Sequence, residues 1–413
     1  MYKIAFPMLY IFSMSLDFIG PEFFGNVATI GKIIPAILLG WYLIKIKFRV
    51  GLKSYSFFIP LSLFAIYFSF SALWSPDIAL AFPRVFSFLF LFISFWLILH
   101  YIQHQKNGLE YIFQTFVLLS VFIALLTLTN FAELFSGEAV VRTGAAGMHA
   151  IHTSMLILIG TVIMLIGVTY KTNNFKIFKP TWYVYLILFN IIALLSTATK
   201  TPFALLFFII IAIYIYSPSN LIRYVKTKVI LFIMLVLLVL TAINPYIGVL
   251  DNIYKRIDII STKDNVVDKY GKVRFIIAEY AVANAIENPI MGVGLEGFKS
   301  NLIQSTNIDF RTSTHNTTLW SLAEGGLIGL LLWLNIVFLL FFSLNRLLKK
   351  TKNSEKLEIH ELSVVSGMLM SLYLIASLSF NIEFNKFFWI IMATYASTKT
   401  ALNLKLIGIK YRK

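Results

Sequence analysis

The sequence predicts an all-α polytopic membrane protein of about twelve transmembrane helices, with one long outward loop containing short helices. Three observations predict it. Of the 413 residues, 59% are hydrophobic and 13% charged, and mean hydropathy is +0.82; a soluble domain is about half apolar and about a quarter charged. Apolar runs recur along the chain at about 16–22 residues each, the length that crosses ~30 Å of hydrocarbon. Basic residues concentrate in alternate connections, as the positive-inside rule requires.

The runs fall at residues 4–20, 30–46, 55–74, 85–102, 110–131, 152–170, 181–198, 202–217, 229–246, 317–345, 361–380 and 386–403. The first has no small-residue cleavage site after it and reads as a retained helix. With the N-terminus cytoplasmic, most of the 35 Lys and Arg fall on that side, including Lys45, Lys47, Arg49, Lys171, Lys176, Arg223, Lys226, Arg346, Lys349 and the C-terminal cluster to Lys413. Both termini are then inside. The chain reads as a single integral domain over residues 1–413, and the long loop at 247–316 faces away from the cytoplasm and carries part of the active site. Acids and bases balance within that loop, and neither ATP nor nucleotide-sugars are available on its side.

Composition also excludes. A net charge of +16 would point a soluble protein to nucleic acid, but here it reports basic cytoplasmic loops, and no nucleic-acid partner is expected. The absence of cysteine removes disulfides, thiolate metal sites and Cys nucleophiles. No internal repeat, Walker loop or zinc signature is present. Gly292-Val-Gly-Leu-Glu-Gly297 matches a dinucleotide fingerprint in letters only. It follows a helix and a proline rather than a strand, and reads as a turn with free backbone N–H groups. Trp74, Trp182, Tyr183, Tyr185 and Trp320 read as interfacial belt residues.

Four outward groups have chemistry. His315 with Asn316 opens the tenth run: either a histidine at a capped helix start, with Thr314 or Asn316 as the cap, or a neutral imidazole serving as general base. Arg274 lies on an amphipathic helical stretch with Ile276, Ile277, Tyr280, Ala281 and Asn284, stopped by Asn288-Pro289. It is a solvated surface charge or a bidentate phosphate clamp. Lys200 sits in the hydroxyl-rich turn Ser196-Thr-Ala-Thr-Lys-Thr-Pro202, as a snorkelling lysine or as a partner for an anionic headgroup; such a polar turn is costly at that depth unless used. Arg142 precedes His149 and His152, whose spacing of three shares a helix face but lacks a nearby carboxylate for a metal site.

Together these stretches resemble the O-antigen ligase and polymerase superfamily of bacterial membrane glycosyltransferases. The resemblance rests on Leu73-Trp-Ser-Pro-Asp77 with Arg84, on Arg142-Thr-Gly, on Leu194-Leu-Ser-Thr-Ala-Thr-Lys200, and on the block from Arg274 to Gly329. That block holds Asn288-Pro, the glycine turn to Phe298, His315-Asn316 and Leu322-Ala-Glu-Gly-Gly-Leu-Ile-Gly329. It is the most specific of the four.

The resemblance implies transfer of a glycan from undecaprenyl diphosphate to an acceptor sugar hydroxyl, inverting, with no metal and no cofactor. It implies a multi-pass protein of the bacterial inner membrane, in contact with membrane lipids, whose site faces the periplasm. Carried over by position, His315 and Arg274 are the catalytic pair. Lys200, Arg274, Arg142 and Arg84 hold the donor diphosphate, and Asn316 and Glu324 support the site. Position 200 departs from the family, which usually has arginine there; either Lys200 acts as a point charge or the clamp is Arg142 or Arg84.

As a ligase the chain would use lipid A–core as acceptor; as a polymerase it would use another lipid-linked glycan. A single dominant outward loop, with a short connection at residues 131–151, leans towards ligase by analogy. A twelve-span secondary transporter would instead need ionisable groups at mid-membrane and paired broken helices. The runs are nearly free of central charge, and Pro7 and Pro60, which interrupt early helices, do not occupy corresponding halves.

Overall fold

Each predicted apolar run that lies among the described residues coincides with a helix. A computed structural model of the chain describes residues 2–16, 30–45, 57–105, 107–129, 150–170, 180–197, 199–216, 267–306, 314–352 and 357–406. Arg142, His149 and the run at 229–246 lie outside them, and of Lys200 only the backbone is described. The helices are α1 (Tyr2–Met14), α2 (Ile30–Lys45), α3 (Phe58–Ser71), α4 (Ile78–His104), α5 (Gly108–Leu128), α6 (Ala150–Tyr170), α7 (Pro180–Ser196), α8 (Lys200–Tyr216), α9 (Val267–Glu287), α10 (Gly297–Thr306), α11 (Thr317–Lys352), α12 (Leu357–Ala376) and α13 (Lys386–Leu406).

Four of these are long and apolar enough to cross a membrane: Ile78–His104, Gly108–Leu128, Ala150–Tyr170 and Thr317–Leu347. Phe58–Trp74, Trp182–Ser196 and His360–Ala376 are apolar but shorter. Prolines do not interrupt the early helices as expected. Pro7 lies within α1, and Pro60 occupies the first turn of α3, where its missing N–H has no intrahelical partner to lose.

The chain divides into two compact units. One comprises Met1–Trp41, Ile102–Thr262 and Leu347–Leu372. In it α5 packs on α1, α6 and α7, and α6 also meets α8. Small and polar residues let these helices approach: Gly160 of α6 faces Ser120 of α5. The Asn190 amide of α7 donates to Ser120 Oγ at 3.0 Å and Thr161 Oγ1 at 3.3 Å. Close backbone approach and interhelical hydrogen bonds are what hold helices together where lipid is as apolar as their side chains.

The other unit comprises Tyr42–Tyr101, Lys263–Arg346 and Tyr373–Lys413. Here α3 turns through a 3-10 segment (Ala72–Trp74) into α4. Asp77 caps α4, accepting from the Leu80 amide at 3.0 Å. Ile59, Ile66, Phe70, Phe82 and Phe86 are each more than half exposed on α3 and α4, as lipid-facing residues would be. Trp320 does not fit the belt expected of it. It is 3% exposed and stacks on Phe68 at 4.3 Å, beside Phe64, Phe88 and Phe384, because its helix turns this face into the unit. Tyr183 is likewise buried, whereas Trp182 and Tyr185 are exposed.

Candidate functional site

The site is built in the second unit around a break in α11. Gly326 has φ 59 and ψ −155, which splits the helix. A break frees carbonyls before it and N–H groups after it, and each must find a partner once buried. The segment 289–294 supplies them. Val293 and Gly294 donate to the Ala323 and Glu324 carbonyls, each at 3.0 Å, while Leu327 and Ile328 donate to the Pro289 and Ile290 carbonyls at 2.8 and 3.2 Å. Tyr67 Oη donates to the Gly325 carbonyl at 2.7 Å. A Cβ at Gly326 would stand 2.5 Å from the Ile290 oxygen and the Gly292 nitrogen, so a side chain there would pry the two segments apart.

The glycine turn is a turn, as expected, but its N–H groups are not free. Those of Gly292, Val293, Gly294, Glu296 and Gly297 are all donated within the protein. Gly292 and Gly297 donate locally, to Asn288 and Gly294, whereas the acceptors of Val293, Gly294 and Glu296 lie on α11, about thirty positions away in sequence and beyond the reach of local reading. The Leu73-Trp-Ser-Pro-Asp77 stretch packs on the same turn: a Cβ at Gly294 would meet the Ser71 oxygen at 2.7 Å and the Ser75 nitrogen at 2.8 Å. Two of the four stretches singled out in the sequence therefore converge, the Leu73–Asp77 stretch and the block from Arg274 to Gly329.

At this junction acids gather around one arginine. Glu296, a non-glycine residue at φ 60, donates its backbone N–H to Glu324 Oε2 at 2.9 Å. Its own Oε1 meets Arg84 Nε at 2.6 Å, with Lys299 Nζ 3.7 Å from Oε2. The Arg84 guanidinium lies over the Phe384 ring at 4.6 Å, a cation–π arrangement. Glu296, Glu324 and Glu383 are all buried.

His315 enters α11 at φ 53, in the left-handed region that non-glycine residues adopt uncommonly. Both neighbours are tied down. Asn316, not Thr314, caps the helix: its Oδ1 accepts from Thr318 N at 2.8 Å and Leu319 N at 3.2 Å. Its amide donates to the Leu378 carbonyl at 3.3 Å, and Thr314 Oγ1 lies 3.2 Å from Asn381 Oδ1. Glu383 anchors the segment across from it, accepting from Thr317 Oγ1 at 2.9 Å and Asn381 Nδ2 at 2.7 Å. Glu383 lies in the connection between α12 and α13, outside the helices. Burial pushes its carboxyl up to about 7, although hydrogen bonds from its backbone surroundings, Thr317 and Asn381, and the Arg84 charge, pull it partly back.

Residues 184–334 match the family model described as O-Antigen ligase. Over that stretch the chain is similar to O-antigen ligase, and four of the described helices are long and apolar enough to cross a membrane. No curated protein matches the chain. The matched stretch holds Lys200, Arg274, Glu296, His315, Asn316 and Glu324, whereas Arg84, Arg142 and Glu383 lie outside it.

Arg274 is exposed on α9, one turn ahead of Ile277. Ile277 and Ala281, three and seven positions on, are buried against Val293, Phe298, Leu302 and Ala323, so Arg274 continues the stripe that faces this core. Ile276, expected on that face, is 45% exposed. Lys200 opens α8 in the first unit. Glu383 and Glu296 were missed as site residues. The available signal for Glu383 was a carboxylate in Asn381-Ile-Glu-Phe-Asn385, set between two apolar runs, where an acid is costly unless something pairs with it.

Proposed function

We propose that the chain is an O-antigen ligase-type glycosyltransferase. In this reading it moves a glycan from undecaprenyl diphosphate to a sugar hydroxyl of lipid A–core, with inversion and without a metal. It acts in the bacterial inner membrane with both termini cytoplasmic and the site facing the periplasm. The observation that carries the reading is the His315 backbone, held at φ 53 between two anchored neighbours at the start of α11, inside the family match. A strained residue persists only where its surroundings over-determine it, and such residues cluster at active sites.

His315 takes the proton of the acceptor hydroxyl as that oxygen attacks the anomeric carbon. The bond from that carbon to the diphosphate oxygen breaks on the opposite face, which inverts the centre. The diphosphate leaves with its electron pair, and its charge is absorbed by cations placed in advance. Arg274 supplies a two-pronged contact and Lys200 a point charge; Lys200 opens α8, so the positive end of a helix dipole lies beside it. Arg142 completes the donor contacts. Arg84 already holds Glu296 and joins the donor only by exchanging that carboxylate for phosphate. Asn316 and Glu324 keep the helix start and the glycine turn in place.

The test is the lipopolysaccharide of a strain lacking the gene, resolved on a gel. Loss of all O-antigen with long glycan remaining on the lipid carrier is the expected result. Core carrying a single repeat unit would make the chain a polymerase, and unchanged lipopolysaccharide with substrate uptake by vesicles would make it a transporter.

A further inference from the structure

We propose that Glu383 is a positioning residue: by accepting hydrogen bonds from Thr317 and Asn381 it holds residues 314–317 so that His315 is presented in its left-handed backbone conformation. The inference rests on the reading of His315 as the group that takes the acceptor proton. It adds a residue that lies outside the family match and outside the long loop.

The connections run in a closed circuit. Thr317 Oγ1 donates to Glu383 Oε2 at 2.9 Å and accepts from the Ile382 amide at 3.0 Å. Asn381 Nδ2 donates to the other carboxyl oxygen at 2.7 Å, which turns Asn381 Oδ1 towards Thr314 Oγ1 at 3.2 Å. The Thr317 amide, one of the unpaired donors of the helix start, goes to the Ser377 carbonyl at 3.0 Å. Glu383 is itself fixed from behind, because Trp389 Nε1 donates to its carbonyl at 2.8 Å. His315 therefore lies between Thr314 and Thr317, both of which are tied to a carboxyl 1% exposed.

The Glu383–Thr317 and Ile382–Thr317 hydrogen bonds are buried, and the Asn381 arm to Thr314 is half-buried. Hydrogen bonds at an exposed surface would exchange freely with water, whereas buried and mutually satisfied ones hold a single geometry. The residue they hold is the one whose φ costs about 1–3 kcal/mol to maintain. Releasing the anchor lets that strain relax and moves the imidazole. The effect of Glu383 is exerted through the backbone of residues 314–317.

The experiment compares wild type, Glu383→Ala, Glu383→Gln and Asn381→Ala in proteoliposomes. The probes are lipid-linked glycan and lipid A–core extracted from the source strain, and two readouts are taken: hydrogen exchange of the 314–319 amides, and kcat with KM for the donor. In Glu383→Ala, exchange in this segment is expected to speed up about tenfold, since exchange reads local opening directly. Its kcat is expected to fall about 100-fold with KM little changed, the effect of a misplacement near 1 Å. Glu383→Gln keeps an acceptor for Asn381 and a polar partner for Thr317, and should restore both readouts. Native exchange in Glu383→Ala would overturn the proposal. So would a Glu383→Gln protein that is inactive with native exchange, because the carboxyl would then act in the chemistry itself. If Glu383→Ala fails to insert, Asn381→Ala decides: native exchange at 314–319 in that variant overturns the anchor. His315→Ala serves as the control for the underlying reading. If it retains full transfer, the role of His315 fails even where the exchange data show the anchor intact.

Discussion

Glu296 and Glu324 are joined through the amide of one and the carboxyl of the other, at 2.9 Å, while the Glu296 carboxyl meets Arg84 at 2.6 Å. The chain thus uses one glutamate as backbone donor and the next as acceptor, with a single arginine closing the group from α4. Removing that arginine leaves the buried Glu296 carboxylate beside Glu324 with the longer Lys299 contact at 3.7 Å as its remaining ion pair among the described residues. Arg84→Met should lower stability by about 2 kcal/mol, the cost of orphaning a charge-assisted pair that is partly open to water. Adding Glu296→Gln should recover about half of it. Thermal unfolding in detergent checks this, and an unchanged Tm in the single variant would mean the pair is an ordinary surface contact.

Gly326→Ala should be among the most damaging small substitutions in the chain. Its φ and ψ are accessible to glycine almost alone, and the added Cβ collides with the Ile290 carbonyl and Gly292 backbone rather than with a movable side chain. A loss of roughly 3 kcal/mol or more is expected, seen as reduced folded protein in the membrane. Gly40, which has open space around it, should accept alanine in the same assay.

Glu383 links stability to pH. Its carboxyl is raised from the ordinary 4.5 to about 7, so the neutral form is favoured in the fold. Stability from this group is fully present below about pH 4.5 and is lost as pH rises through about 7. The swing is roughly 3 kcal/mol, from the size of the shift. Arg84 pulls the Glu383 carboxyl down, Thr317 and Asn381 are its hydrogen-bond donors, and it also interacts electrostatically with Glu324. Tm measured from pH 5 to 8 should decline in wild type more steeply than in Glu383→Gln. Parallel profiles would show that another group titrates.

His315 should trade stability for activity. His315→Gly relaxes the φ 53 backbone and is expected to gain about 1 kcal/mol, while transfer falls to background. His315→Ala and Arg274→Ala should each abolish transfer with membrane insertion intact, and Lys200→Arg should be tolerated. Near-normal transfer by either alanine variant would falsify the mechanism proposed above.

Much of the scaffold was legible in the chain because it depends on neighbours in sequence. The apolar runs mark the helices, Asn288-Pro289 stops α9, and Asn316 caps α11 through amides two and three residues on. Local sterics and local hydrogen bonds suffice for each. His315, Arg274 and Glu324 could be singled out as candidates from residue type and motif alone. What they touch could not be read. Arg84 finds Glu296 from a helix distant in sequence, Glu383 finds Thr317 across 66 positions, and Val293 and Gly294 of the glycine turn give their amides to a helix that breaks at Gly326. A buried polar group is indifferent to sequence distance and needs a partner of the right shape within hydrogen-bond reach, and only the folded chain decides which residue that is.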